Sequence, residues 1–316
     1  MARNWNDMPN EVKFMIVDKM DIVTRTRLKL CSKSDKCIVE SVPFHVESFK
    51  SCYDTQYNKK RIKLDDFCLK MTKKRRFEMS IRGEPYPYKL PKKLRKYRGK
   101  HLFKKFTTNL LLHGNLQMDY FMTNMVPPSN KLKNKTIDTK AANISGENKE
   151  IWKWINLLSP KTKDIDIYGK YKRTLKGIGL NSLVINAEQF SIMGWNDISD
   201  EQLLTFKFTK GYLRGTHITR SGAIRFIQKI ASSDYPLDTK IELYDTKRKQ
   251  YEPEHELERY QEVTAFYMPM NSEKVVVYIY FPGFNRFSIS VRELAGITLE
   301  AYNQLNVFVE TKEIGE

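Results

Sequence analysis

The side chains able to do chemistry are few and scattered. His45, His101, His113, His217 and His255 stand alone in sequence, with no nucleophile or second base at a fixed offset. His113, in LLHGN, falls at an expected strand end, where a catalytic base can sit; without a partner motif it reads as a hydrogen-bonded structural histidine. Residues 251–262, YEPEHELERYQE, gather carboxylates at spacings that match no metal signature and read as a solvated helix face. Cys31, Cys37 and His45 are spaced like no common zinc finger. There is no GxxxxGK[ST] phosphate loop, no GxGxxG turn, no HExxH helix and no GxSxG elbow. The expectation is a chain without catalytic, metal or cofactor sites, working by binding.

Composition bounds the rest. A chain of 316 residues holds roughly two domains of about 100–200 residues. Apolar residues make up 41%, enough for a real core, and no apolar run approaches the ~20 residues needed to span a bilayer. MARNWNDMPNEV lacks the apolar core of a signal peptide, so cytosol or nucleus is the expected location. The sequons at Asn134 and Asn143 then read as chance matches. Cys31, Cys37, Cys52 and Cys68 all lie in the first quarter, which argues for free or buried thiols over a disulfide framework.

The net charge of +18 is uneven: residues 59–105 carry 19 Lys plus Arg against 4 Asp plus Glu. Its densest parts are Lys73, Lys74, Arg75 and Arg76, then Lys92, Lys93, Arg95, Lys96 and Arg98. A solvated face is the plainer reading, and an anion-facing surface for nucleic acid is the alternative.

The positioning elements are read from periodicity. Residues 8–40 read as short helices: Val12, Met15, Ile16 and Met20 make one apolar stripe, Pro9 suits a first turn, and Thr24 is placed to cap a second helix. Ile38 and Val39 fit a third helix, ended by Pro43. Residues 44–106 read as a basic, irregular, β-rich connection. From 107 onward short apolar segments recur: LLLHGN, AANISG, DIDIYG, SLVINA, LTFKFTKG and KIELYD start at residues 110, 141, 164, 182, 204 and 240. Those intervals scatter around the ~20–29 residues of a leucine-rich repeat, without its asparagine ladder; an ordinary α/β sheet fits equally. ENKEIWKWINLL and SGAIRFIQKIASS have helical periodicity, and 127–140 reads as a long loop. Residues 263–293 switch to β-branched and aromatic runs, an antiparallel meander.

MPNEVKFMIVDKMDIVTRTRLKLCSKSDK, residues 8–36, resembles the F-box. Met8-Pro9 stands at its Leu-Pro start with Glu11 following, Ile16-Val17 at its Ile-Leu pair, Met20 at the next Leu, and Leu28, Leu30, Cys31, Ser32 and Lys33 in its second helix. Two positions depart: Arg25 at a usually apolar site, and Asp35 where an aromatic is common. Residues 180–293 resemble the F-box-associated domain of the large nematode expansion. Leu203-Leu204, Ile218-Thr219 and Phe226-Ile227 stand in its motif positions, and Ile230 replaces a tryptophan.

The resemblance implies a non-catalytic substrate-recognition subunit of a cullin-RING (SCF-type) ubiquitin ligase. Its Skp-family adaptor would dock on Met8, Pro9, Glu11, Val12, Ile16, Val17, Met20, Leu28 and Cys31, and a cullin would be joined through the adaptor. An apolar half-structure of about 40 residues needs such a partner. The expected architecture is α+β: an all-helical F-box at 1–43, the basic connection at 44–106, and a leucine-rich-repeat-like α/β domain with a terminal meander at 107–312. Strand alternation puts Ile165, Ile167, Leu183, Ile185, Leu204, Phe206 and Phe208 inward, and offers Asp166, Tyr168 and Lys207 to an unknown protein substrate.

Overall fold

The computed structural model describes residues 4–54, 59–71, 77–85, 99–113, 115–126, 132, 135–169, 173–245, 264–270, 273–281 and 286–293. The chain divides into two compact units, Met1–Thr162 and Lys163–Glu316. That division falls inside the expected 107–312 segment.

The first unit opens with a 3-10 turn, Trp5–Asp7, and three short helices: α1 (Asn10–Asp18), α2 (Ile22–Leu28) and α3 (Lys33–Ser41). Pro9 stands at the N-cap of α1. The cap of α2 is Asp21, which accepts from the N–H groups of Val23 and Thr24; Thr24, expected as the cap, instead donates its hydroxyl to Asp21. A carboxylate at N-cap satisfies two orphan donors and complements the helix dipole. Ser32 caps α3. The helices close on Val17, Ile38, Val39 and Val42, with Trp5, Met20 and Leu28 against them.

Of the segment read as a β-rich connection, residues 44–85 hold strands, and its end, from Gly99, is helical. Strands β1 (Phe44–Asp54), β2 (Lys59–Leu64), β3 (Phe67–Met71), β4 (Phe77–Ile81) and β5 (Glu84–Pro85) form an antiparallel meander. Helix α4 (Gly99–His113) comes next, then β6 (Leu116–Thr123) and β7 (Asp138–Gly146), with β1, β6 and β7 parallel. Residues 110–113 of LLLHGN, expected as a strand, are the last turn of α4. Phe103, Phe106, Thr107 and Leu110 are buried or half-buried at i, i+3, i+4 and i+7, a helical period that the run of leucines alone conceals. Helix α5 (Asn148–Ile155) carries Trp154 into the core, where its ring meets Phe121 at 5.3 Å and its Nε1 donates to the Met125 carbonyl at 2.7 Å.

In the second unit β8 (Asp164–Gly169), β9 (Gln189–Met193), β10 (Lys210–Thr216) and β11 (Lys240–Asp245) run parallel, their starts Asp164, Gln189, Lys210 and Lys240 side by side. The expected meander is there as β12 (Thr264–Pro269), β13 (Lys274–Phe281) and β14 (Arg286–Glu293), with β14 joined antiparallel to β11. Helices α6 (Ser182–Ile185), α7 (Asp200–Leu203) and α8 (Arg220–Ala231) connect the parallel strands.

Two expected strands are corrected. SLVINA contains α6: Asn181 accepts from the N–H groups of Leu183 and Val184, and the turn buries Val184 while Leu183 and Ile185 stay half-buried. In LTFKFTKG, residues 204–209 are a connection and the strand begins only at Lys210. Phe206 and Phe208 are fully buried as expected, but from that connection, against Phe190 at 5.9 and 6.3 Å. Alternating burial identified the apolar side chains; hydrogen bonding, which a pattern does not report, decided the element.

Candidate functional sites: a helical docking face and an open sheet face

Helix α1 divides its apolar residues between the core and solvent. Val17, at 0% exposure, is in the three-helix core, and Lys13, one turn before it, is buried with its Nζ donating to the Asn6 carbonyl. Val12, Phe14 and Met15 face solvent at 40%, 39% and 71%, and Leu30, just past α2, at 82%. Large apolar side chains this exposed, grouped on one small element, mark an interaction surface.

Of the expected docking set, Pro9, Glu11, Val12 and Cys31 are exposed, and Met8, Ile16, Met20 and Leu28 are half-buried. Val17 is corrected: it is interior and presents nothing to a partner. Met20 and Leu28 divide their surface between the core and solvent. Phe14, Met15 and Leu30 join the exposed set. Met15 was visible in the i, i+3 stripe with Val12, whereas which edge of that stripe faces inward is set by α3.

The two departures from the F-box pattern are both interior. Arg25 is 3% exposed; its Nη1 donates to the Val42 carbonyl at 2.9 Å and its Nη2 to that of Pro43 at 3.2 Å. Its guanidinium lies 4.8 Å from the centre of the Phe44 ring. Burial lowers its pKa, against the opposing pull of Asp18. Asp35 is 6% exposed and accepts from Trp5 Nε1 and Ser32 Oγ, both at 2.7 Å. Both residues therefore hold the cluster together and leave the exposed apolar side unaltered.

The second candidate is the sheet of the second unit, whose two faces differ in kind. Ile165, Ile167, Phe190, Ile192, Leu213, Ile241, Leu243, Phe287 and Ile289 are all buried, and α8 packs on their side through Phe226. On the opposite face none of the positions of β8 to β11 whose side chains are described is buried. Pairing puts Tyr168, Met193, Arg214, Tyr244 and Arg286 on one rung of that face, and Asp166, Ser191, Tyr212, Glu242 and Ser288 on the next. Parallel sheets are ordinarily covered on both faces. Here, among the described residues, the helices that connect these strands bury only one.

Arg286 Nη2 and the Tyr244 hydroxyl both donate to the Glu242 carboxylate, at 2.7 and 3.0 Å. Tyr212 and Tyr244 lie 4.9 Å apart, and the Arg286 guanidinium is 5.1 Å from the Tyr244 ring centre. Burial first, and then the charge of Glu242, pushes the Tyr244 pKa up, so it stays a neutral donor. Burial, with Glu188 and Asp166 nearby, also raises that of Asp164.

Asp166 and Tyr168 share this face. Lys207 is corrected: it sits in the connection between α7 and β10, where its charge acts on Lys229 of α8, on the helix side of the sheet. The rung of Arg214, Tyr244 and Arg286 was not legible beforehand, because cross-strand register alone brings those positions together.

All four cysteines are free thiols. His45 and Lys140 flank Asp119 at 3.3 and 2.8 Å in an exposed ion cluster, and His217 is exposed. The side chains of His101 and His113, the segment 251–262 and the nine basic residues Lys73, Lys74, Arg75, Arg76, Lys92, Lys93, Arg95, Lys96 and Arg98 lie outside the described residues. Among the described residues no group of His, Cys, Asp and Glu has a metal-holding arrangement, and no helix is long and apolar enough to cross a membrane.

Residues 5–47 match the F-box domain, so the three-helix cluster and the start of β1 are an F-box domain. An F-box domain suggests a substrate-recognition adaptor of an SCF-type ubiquitin ligase that binds a Skp-family adaptor. Comparison of the chain with curated proteins and with solved structures returns no match.

Proposed function

We propose that this chain is the non-catalytic substrate-recognition subunit of a cullin-RING ubiquitin ligase. Its F-box docks a Skp-family adaptor, with a cullin beyond it, in cytosol or nucleus, and its second unit captures a protein substrate. The observation that carries the reading is the exposed apolar set, Val12 and Met15 on α1 and Leu30 just past α2, inside a segment that matches the F-box domain. The work done is effective concentration: a substrate held beside the ubiquitin-loaded enzyme reacts as if intramolecularly.

The substrate surface in this proposal is the face bearing Asp166, Tyr168, Tyr212 and Tyr244, on which, among the described residues, no connecting helix packs. Tyrosines and arginines around a few paired charges are the composition of protein-recognition surfaces. The in-register parallel strands support a degenerate leucine-rich-repeat-like design, and their position after the F-box supports an F-box-associated domain of the nematode type.

The test is a purified pulldown with a Skp-family adaptor. The substitutions V12E and M15E together should abolish binding and leave the melting temperature unchanged, because each buried aliphatic contributes ~1.5–3 kcal/mol to such an interface. Retained binding sinks the proposal. Replacing Ile16 and Met20 is a poorer test, since Met20 also supports the core. Raising the salt concentration should barely weaken an apolar interface, whereas phosphate binding by the 59–105 block would fall steeply.

A further inference from the structure

The chain joining the F-box helices to the sheet is two residues long: α3 ends at Ser41 and β1 starts at Phe44. Neither neighbour of that joint is slack. Val42 is part of the helical core, and its N–H donates to the Ile38 carbonyl at 3.3 Å. Phe44 is already in the parallel ladder opposite Leu116, and its N–H donates to the Asn115 carbonyl at 2.8 Å. Only Pro43 lies between, and its ring fixes φ.

Arg25 closes this joint from the helical side. Its planar fork reaches the two successive carbonyls of Val42 and Pro43 at 2.9 and 3.2 Å, and its flat side covers the ring of Phe44, the first residue of the sheet. No aliphatic side chain could donate to those carbonyls, and a lysine, with three donors on one compact ammonium, lacks the planar fork that fixes both bonds at once. Asn115 closes it from the sheet side. Held at φ +46°, in the left-handed region that Asn tolerates, it donates its Nδ2 to the Glu40 carbonyl in the last turn of α3 at 3.1 Å.

We propose that Arg25, seconded by Asn115, is a positioning residue that locks the F-box helices to β1, β6 and β7 so that they move as one body. The lock itself rests on those hydrogen bonds and on the two-residue joint. Its consequence rests on the ubiquitin-ligase reading: with an adaptor on the helices, β1, β6 and β7 are held at a set place relative to that adaptor by geometry instead of by linker diffusion. One of the two residues that depart from the F-box pattern, Arg25, is then the one that orients β1, β6 and β7.

The experiment measures residual dipolar couplings of backbone amides in the full-length chain. In the wild type, couplings from α1 to α3 and from β1, β6 and β7 should fit one alignment tensor. In R25L, and separately in N115A, the tensor of the helices should shrink by about twofold or more relative to the sheet, as independent motion averages it. The amide shifts of Val17, Ile38 and Val39 should stay in place. A residue serving stability alone would lower the melting temperature and keep one tensor; one tensor in both variants overturns the proposal. If R25L loses its dispersed spectrum, R25K decides, since it keeps the charge and loses the fork: one tensor in R25K likewise overturns it. A pulldown on the wild type with a Skp-family adaptor is read separately. Failure there would sink the ubiquitin-ligase reading while leaving the junction result standing.

Discussion

The indole N–H of Trp5 donates a 2.7 Å hydrogen bond to Oδ1 of Asp35, thirty positions further on. The other carboxylate oxygen accepts from Ser32 Oγ, whose oxygen in turn accepts from the Asp35 backbone N–H at 3.0 Å. The turn before α1 is thereby tied to the first turn of α3, with the Lys13 ammonium 5.8 Å from the centre of the same indole. An aspartate stands where the F-box pattern commonly has an aromatic, and here the aromatic surface comes from Trp5, which packs on the helical core.

This tie makes the helices acid-sensitive. The bond from Trp5, then that from Ser32, holds the Asp35 carboxyl below the usual carboxylate range. A depressed folded-state pKa stabilises the fold above the unfolded pKa and loses that contribution as pH falls through the folded value. The gap in melting temperature between wild type and D35N should therefore be widest near about pH 7 and close toward about pH 3. Parallel titration curves would remove Asp35 from the acid response.

The two sides of α1 should answer differently to truncation. Val17→Ala leaves a cavity in the helical core and should cost about 2 kcal/mol in denaturant unfolding. Met15→Ala, 71% exposed, should stay within about 0.5 kcal/mol of wild type. Only the second should weaken adaptor binding at equal folded fraction.

Gly194 closes β9 at φ +129°, and a Cβ there would sit 2.9 Å from the Gly169 carbonyl oxygen at the end of β8. Gly194→Ala meets both backbone strain and a backbone clash. It should destabilise the chain by more than about 1 kcal/mol, measured by urea unfolding. An unchanged midpoint would mean that the two strand ends separate freely.

On the open face, replacing Asp166 and Tyr168 together with serine should leave the melting temperature within about 2 °C of wild type and impair substrate capture. Ile167→Ala, one residue away and fully buried, should cost about 2–5 kcal/mol. A large loss of stability from the serine pair would place those side chains in a core and end the recognition-face reading.

The sequence alone determined the parts of this protein in which one short segment contains its own signal. Pro9 and the apolar stripe made α1 legible, Pro43 marked the end of the helices, and the alternation of DIDIYG separated Ile165 and Ile167 from Asp166 and Tyr168. The β-branched runs of 263–293 announced the meander. SLVINA and LTFKFTKG do not announce their element, because six to eight residues of mixed apolar type satisfy a helix turn, a strand or a buried connection alike.

Tertiary structure decided everything that depends on partners distant in sequence. Val17 and Met15 are both apolar residues on one helix, and only the placement of α3 makes one core and the other surface. Arg25 and Asp35 looked like defects in a pattern until the carbonyls of Val42 and Pro43, and the indole of Trp5, were brought to them. The rung of Tyr168, Arg214, Tyr244 and Arg286 exists because three parallel pairings and one antiparallel pairing, Tyr244 with Arg286, set the register, a relation carried by backbone hydrogen bonds between segments and by no residue within any one of them.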